Sequence, residues 1–418
     1  MKPLFMESNE FSLRKFDNIY MFILLLYAGR SCRIASALMH PTNFYSTLFF
    51  IILSIILLRR HQFKFGKKYC WLFIGTTIWV FLQTIKTGNF EPMTLFLYLE
   101  ISIAYIVANI YGTKTLLYFE KYTTWLALLS LVVWIIYLFA PSQLLAILQP
   151  FNLRQSRYII KASIILTSIS GTSSFLGMRN AGFCSEPGHY ASFLCIAIAI
   201  NLVIHKFDIS SKNKSLYILG LSLITTQSTT GYIGGCVIVL FYVLNAKFLS
   251  KYITIGLMVL IIPTIIALPF MQAKIESVWY EEGNEFEIAE SADEREYVYV
   301  PQRIDGLVLE TYNIKGDPLL GYGVKSKNSF VCKNLSENIS LSNGLLQAFS
   351  EFGILLGVMF YLGLGKTIRE LALFKKFSGW YMIFALYLTL SVSYNFMMVP
   401  FLLSIWQMAF LRERKGFI

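Results

Sequence analysis

Charge is what this 418-residue chain has least of: Asp, Glu, Lys and Arg make up 14% of it, against about 25% in an average soluble domain. A water-soluble globule with a charged skin is therefore not the expected class. Histidine is scarce too, with four residues. The six cysteines, Cys32, Cys70, Cys184, Cys195, Cys236 and Cys332, have no paired metal-ligand spacing, so neither a zinc site nor a disulfide framework follows. Most sit in apolar runs, where a free Cys behaves as a small buried hydrophobe. There is no internal repeat, no low-complexity tract and no cleavage site after the first apolar run, so that run is expected to stay in the mature chain. What is abundant is apolar surface, at 56% of residues. The net charge of +12 is spread in short clusters between apolar runs rather than gathered into one patch, which speaks for membrane topology and against a nucleic-acid partner.

Apolar runs fall at about residues 18–38, 43–58, 69–85, 93–112, 122–140, 189–204, 215–228, 230–246, 252–270, 343–363, 379–395 and 397–411. The expected fold is an all-α integral membrane protein, a single polytopic bundle over residues 1–418 with about 12 transmembrane helices of about 20 residues each. Basic clusters such as Arg59, Arg60, Lys64, Lys67 and Lys68, or Lys366, Arg369, Lys375 and Lys376, alternate with short loops whose one cation is Lys86. By the positive-inside rule, both termini face the cytoplasm. Two long stretches, 141–188 and 271–342, then lie on the far side. The first starts at Pro141 and mixes apolar runs with Arg154, Arg157 and Lys161, a pattern suited to helices lying in the interface. The second opens on an acidic stretch from Glu276 to Glu296, read as a solvated face because no compact calcium-type ligand loop appears.

Charges inside spans are costly and mark sites or ion pairs. Arg30 and Arg33 lie on the first run, Glu100 on the fourth and Glu351 on the tenth. At about 1.5 Å per residue, Arg30, Glu100 and Glu351 reach similar depths from the outer surface, which suits either one outward polar chamber or pairs that lock helices together.

Three stretches carry chemistry. Arg179-Asn-Ala-Gly-Phe-Cys-Ser-Glu186-Pro187-Gly-His189 runs straight into a span. A Pro-Gly break at a helix start leaves backbone N–H groups able to meet an anion, and Arg179 can join them. Glu186 and His189 are the neighbouring groups able to accept a proton. The bland alternative is an interfacial turn whose Arg meets headgroups. Thr226-Gln-Ser-Thr-Thr-Gly231 follows where the chain turns back, and by itself suits close helix packing. The third stretch runs from Arg303 through Asp317-Pro-Leu-Leu-Gly321-Tyr322-Gly323 to Ser342-Asn343, with Gly353-Ile-Leu-Leu-Gly357 beyond. Its Pro and Gly permit a tight turn close to a ligand.

In this order, over about residues 175–365, these stretches resemble the O-antigen polymerase and ligase superfamily; the first third of the chain matches by topology alone. The resemblance implies an inner-membrane glycosyltransferase of GT-C type in a bacterial cell, with 141–188 and 271–342 as periplasmic loops. It implies undecaprenyl-pyrophosphate-linked oligosaccharide as substrate, with no metal, nucleotide sugar or other cofactor, and membrane lipid and a chain-length-regulating protein as candidate partners. It also implies that Arg179 and Arg303 hold pyrophosphate. Read from the residues themselves, Tyr322, Asn343, Arg30, Arg33, Glu100 and Glu351 are further binding candidates, and Glu186, or else His189, is the candidate base. Ligases of this superfamily carry His before the Asn of the third stretch. Ser342 stands there, and Glu186-Pro187 resembles the polymerase form, so polymerase is the expected activity. Ligase and lipid-linked-sugar flippase are the alternatives.

Overall fold

In a computed structural model of the chain, the described residues are 15–29, 44–140, 178–246 and 301–408, apart from Pro92, Ser185, Gln302, Lys325, Ser342, Met397 and Met398, with short pieces at 142–143, 155–156, 159–160, 167–170, 256 and 272. They are mostly helical: α1 (Lys15–Gly29), α2 (Phe44–Arg60), α3 (Lys67–Thr87), α4 (Thr94–Ile110), α5 (Lys114–Phe139), α6 (Pro187–Ile204), α7 (Lys214–Thr225), α8 (Thr229–Asn245), α9 (Arg303–Gly316), α10 (Phe330–Asn334), α11 (Gly344–Lys375), α12 (Trp380–Ser391) and α13 (Pro400–Gln407). Every apolar run of the sequence holds a helix except 252–270, of which residue 256 alone is among the described residues.

Among the described residues, α5, α6 and α11 are long and apolar enough to cross a membrane, and α4, α7, α8 and α12 are shorter apolar helices. The distribution of side chains has the same sense. On α3 the outward stripe is Trp71, Ile74, Ile78, Phe81 and Ile85, while Gln83 is among the residues turned inward. On α5, Trp125, Leu128, Val132, Ile135 and Phe139 face out, and Thr115, Thr123 and Ser130 are buried. An amphipathic helix in water has the opposite arrangement. Apolar stripes of this extent need lipid or another apolar surface against them.

Within the stretch 141–188, much of which lies outside the described residues, two short antiparallel pairs are present, β1 (Gln155–Ser156) with β2 (Ile159–Ile160) and β3 (Thr167–Ser170) with β4 (Met178–Gly182). Thr167-Ser-Ile-Ser carries β-favouring residues without a helical apolar period. Non-helical backbone beside a membrane must find its hydrogen bonds in pairing, and a hairpin does this locally.

The chain divides into two compact units. The first comprises residues 1–69, 100–228 and 399–418, and the second 70–99 and 229–398. In the first, α5 packs against α1, α6, α7 and β4. Its core includes Phe193, stacked on Phe119 with ring centres 5.8 Å apart and meeting Phe183 edge to face at 5.3 Å. Glu120 accepts from Asn201 at 2.8 Å, and Asn201 in turn accepts from Asn213 at 2.8 Å. In the second unit α8 packs on α12, α12 on α11, α11 on α9 and α9 on α10.

Candidate functional site

In the first unit, β4 carries Arg179 opposite Ile169 of β3. The guanidinium Nε donates to the Thr226 carbonyl at 3.1 Å, which joins the first stretch of the sequence to the second. The next residue, Asn180, is completely buried and anchors the strand. Its Nδ2 donates to Ser130 Oγ (3.1 Å) and Thr225 Oγ1 (3.0 Å), and its Oδ1 accepts from the Gly182 N–H (2.9 Å). Ser130 is linked in turn to the Tyr190 hydroxyl at 2.8 Å. Strand β4 is thus bolted to α5, α6 and α7, and Arg179 projects from a fixed base. Pro187 starts α6 as its fixed φ allows, with Glu186 at the N-cap making no side-chain capping bond. The Glu186 carboxylate lies 3.7 Å from His189 Nε2, with Glu186 half exposed and His189 mostly buried. That spacing is a loose acid–base pair one helical turn apart.

In the second unit the third stretch is built around an interruption of α11. Gly353 has φ +79° and ψ 166° inside this helix, a region open essentially to glycine alone. The break frees backbone groups, and the turn 318–323 takes them up. Tyr322 N–H donates to the Ser350 carbonyl (2.9 Å), Gly323 N–H to the Glu351 carbonyl (2.9 Å), and Ile354 N–H to the Pro318 carbonyl (2.8 Å). A Cβ on Gly353 would run into the Leu319 carbonyl, and one on Gly321 would come within 2.6 Å of the Glu351 carbonyl carbon. Both glycines are therefore required by close backbone approach. Gln83 completes the join from α3, its Nε2 donating to the Leu320 carbonyl (2.6 Å) and the Glu351 carbonyl (2.7 Å). Asp317 caps the turn through the Leu320 N–H and pairs with Lys86 Nζ at 2.6 Å.

Beside this join is a pocket lined by α9, residues of the chain from 322 to 341 and the first two turns of α11. Two carboxyls line it, Glu310 at 2% and Glu351 at 5% exposure. Glu351 Oε1 accepts from Gln347 Nε2 at 2.6 Å, and Gln347 Oε1 accepts from Asn395 Nδ2 at 2.7 Å. Glu310 accepts from Asn313 Nδ2 at 3.4 Å. Burial pushes the Glu310 carboxyl up to about 8, with the nearby Glu351 charge adding to it and the hydrogen bonds from Ser350 and Asn313 opposing it. Tyr322, half-buried on the pocket rim, is raised as well, by burial and then by Asp317.

No family model matches the chain, and no curated protein matches it.

The candidate residues thus fall into separate settings. Arg179, Glu186 and His189 belong to the first unit, and Tyr322, Asn343, Glu351 and the start of α9 at Arg303 belong to the second. Glu100 lies in the first unit, where the Tyr27 hydroxyl donates to its Oε1 at 3.5 Å. Arg30 and Arg33 lie outside the described residues. Asn343, read from sequence as a binding residue, caps α11: its buried Oδ1 accepts from Leu345 and Leu346 N–H at 3.1 and 3.2 Å. Glu310, Gln83 and Asn180 escaped the sequence reading. Gln83 was visible as a polar residue within an apolar run, whereas Glu310 sits in an ordinary mixed segment and only packing takes it out of water. Among the described residues no group of three or more His, Cys, Asp or Glu could hold a metal ion.

Proposed function

We propose that this protein is a GT-C-type glycosyltransferase of about 12 spans in the bacterial inner membrane, an O-antigen polymerase that joins undecaprenyl-pyrophosphate-linked oligosaccharide repeat units on the periplasmic face. The observation that carries the reading is the interrupted α11, whose backbone is rejoined by the Asp317–Gly323 turn beside a polar pocket. Irregular backbone within an apolar bundle is tolerated where protein buries it or a cavity is lined by it. The hydrogen bond from Arg179 to Thr226 supports it further, because the two sequence stretches it joins are two of the three that carry the resemblance.

The growing glycan on its lipid pyrophosphate is the donor. An acceptor hydroxyl attacks the anomeric carbon, the bond from that carbon to the phosphate oxygen breaks, and lipid pyrophosphate leaves with the electron pair. Preorganised cations stabilise such a developing anion, the role given to Arg179 and Arg303. The attacking hydroxyl loses its proton to Glu186, or to His189 beside it. The broken helix also favours a second reading, a lipid-linked-sugar transporter, since discontinuous helices recur at transport sites.

Purified protein supplied with lipid-linked repeat units is expected to yield a ladder of longer glycans, and Arg179→Ala and Arg303→Ala are each expected to abolish it at near-normal protein level. Normal ladders from both variants would remove the assignment of the cations. A deletion strain with one repeat per lipid A core supports polymerase. Naked core with long lipid-linked chains would indicate ligase, and units retained on the cytoplasmic side a transporter.

A further inference from the structure

The geometry points to the Glu310–Glu351 pocket as a binding subsite for one neutral sugar ring of the acceptor oligosaccharide. This deepens the polymerase reading and rests on it for naming the sugar as the acceptor's. The pocket lies between α9, the 322–341 chain and the start of α11. Its lining is dense in hydrogen-bonding groups: the two carboxyls, the Gln347 amide and the hydroxyls of Tyr322, Ser329 and Ser340. Sugar hydroxyls both donate and accept, so a matching pocket must do the same. Here Glu351 accepts, its Oε1 held by Gln347 Nε2. Glu310, which burial keeps protonated at neutral pH, can accept through one oxygen and donate through the other.

The same chemistry argues against the other small ligands. Among the described lining residues the charged groups are two carboxyls and no cation, a setting that disfavours a pyrophosphate. A hard cation demands six or more oxygen ligands with several charged, whereas the charged groups of the described lining are two carboxyls. The rim is also rigid. The backbone of Tyr322 and Gly323 is bonded to the Ser350 and Glu351 carbonyls, and a preformed rim limits the ordering cost of binding.

The test uses the full chain in lipid nanodiscs. N,N′-dicyclohexylcarbodiimide, which attacks protonated buried carboxyls, is followed at Glu310 by peptide mass spectrometry at pH 6. The probe is the free repeat-unit oligosaccharide released from its lipid by mild acid. Saturating oligosaccharide is expected to slow labelling of Glu310 at least fivefold, and NaCl or MgCl2 at equal concentration to leave it unchanged. Oligosaccharide binding measured by saturation-transfer NMR is expected to weaken at least tenfold in Glu351→Gln and to persist in Gly365→Ala, whose added methyl meets Phe384 no closer than 3.8 Å. Unprotected Glu310, protection by salt alone, or undiminished binding in Glu351→Gln would each overturn the subsite. If Glu351→Gln does not fold, the protection measured on the unaltered protein decides. Sugar protection without glycan elongation would remove the polymerase reading and keep the subsite, while elongation without protection would do the reverse.

Discussion

Replacing Gly353 with Ala perturbs one atom at the point where the α11 interruption meets the 318–323 turn. The φ of +79° with ψ of 166° is a conformation that costs an L-residue about 1–3 kcal/mol. The new Cβ would also overlap the Leu319 carbonyl, so the turn must move away. Moving it lengthens the bonds from Tyr322 to Ser350, from Gly323 to Glu351 and from Ile354 to Pro318, which lie between 2.8 and 2.9 Å. Leaving even one of these buried groups unpaired costs about 1–3 kcal/mol. The sum is about 2–6 kcal/mol. At about 2–4 °C per kcal/mol for a unit of this size, the melting midpoint should drop on the order of 10 °C. The assay is a thermal series in detergent read by size-exclusion fluorescence, with Gly365→Ala as the control. Gly365 is in the same helix and its added methyl would meet Phe384 no closer than 3.8 Å, so it should be neutral or gain up to about 1 kcal/mol of helix propensity. Equal midpoints for the two variants would refute the view that the interruption is held by this backbone join.

Gln83→Leu removes the donors to the Leu320 and Glu351 carbonyls. Each carbonyl keeps another donor, Trp79 Nε1 at 3.2 Å for Leu320 and Gly323 N–H at 2.9 Å for Glu351, so the loss should be about 1–3 kcal/mol, read in the same thermal series. Lys86→Met leaves the buried Asp317 carboxylate without its 2.6 Å partner. Because Lys86 is itself half exposed, destabilisation should stay near 1–3 kcal/mol, and Asp317→Asn combined with it should recover part of the loss. For Glu310, whose acidity falls from an ordinary value of 4.5 to about 8 in the fold, the folded state binds the proton more tightly than the unfolded one. Its contribution to stability is therefore full below pH 4.5 and declines as pH rises to about 8. Melting midpoints of Glu310→Gln across that window should show a flatter dependence on pH, and an unchanged slope would show that another group is responsible.

Much of this molecule was legible along the chain because a helix in hydrocarbon must be apolar over its own length. Residues 122–140 and 189–204 needed no tertiary information to be read as spans, and Pro187 announced the start of α6. The pairing of 167–170 with 178–182 was not legible, since Thr167-Ser-Ile-Ser is short and its partner is fixed by register with Met178–Gly182. The third stretch showed its glycines in sequence but not their purpose. Gly321 and Gly353, thirty-two positions apart, are explained by each other only when the turn lies against the break.

The sequence by itself settled the apolar, mostly helical character, the positions of most helices and the identity of the residues whose charge or flexibility is costly to keep, because hydropathy and backbone freedom are local properties. Tertiary structure alone decided which of these residues act together. It hung Arg179 on the carbonyl of Thr226, made Asn343 a helix cap, and drew Glu310 out of the solvent to face the same pocket as Glu351. Burial and partnership are set by segments distant along the chain, and no local pattern encodes them.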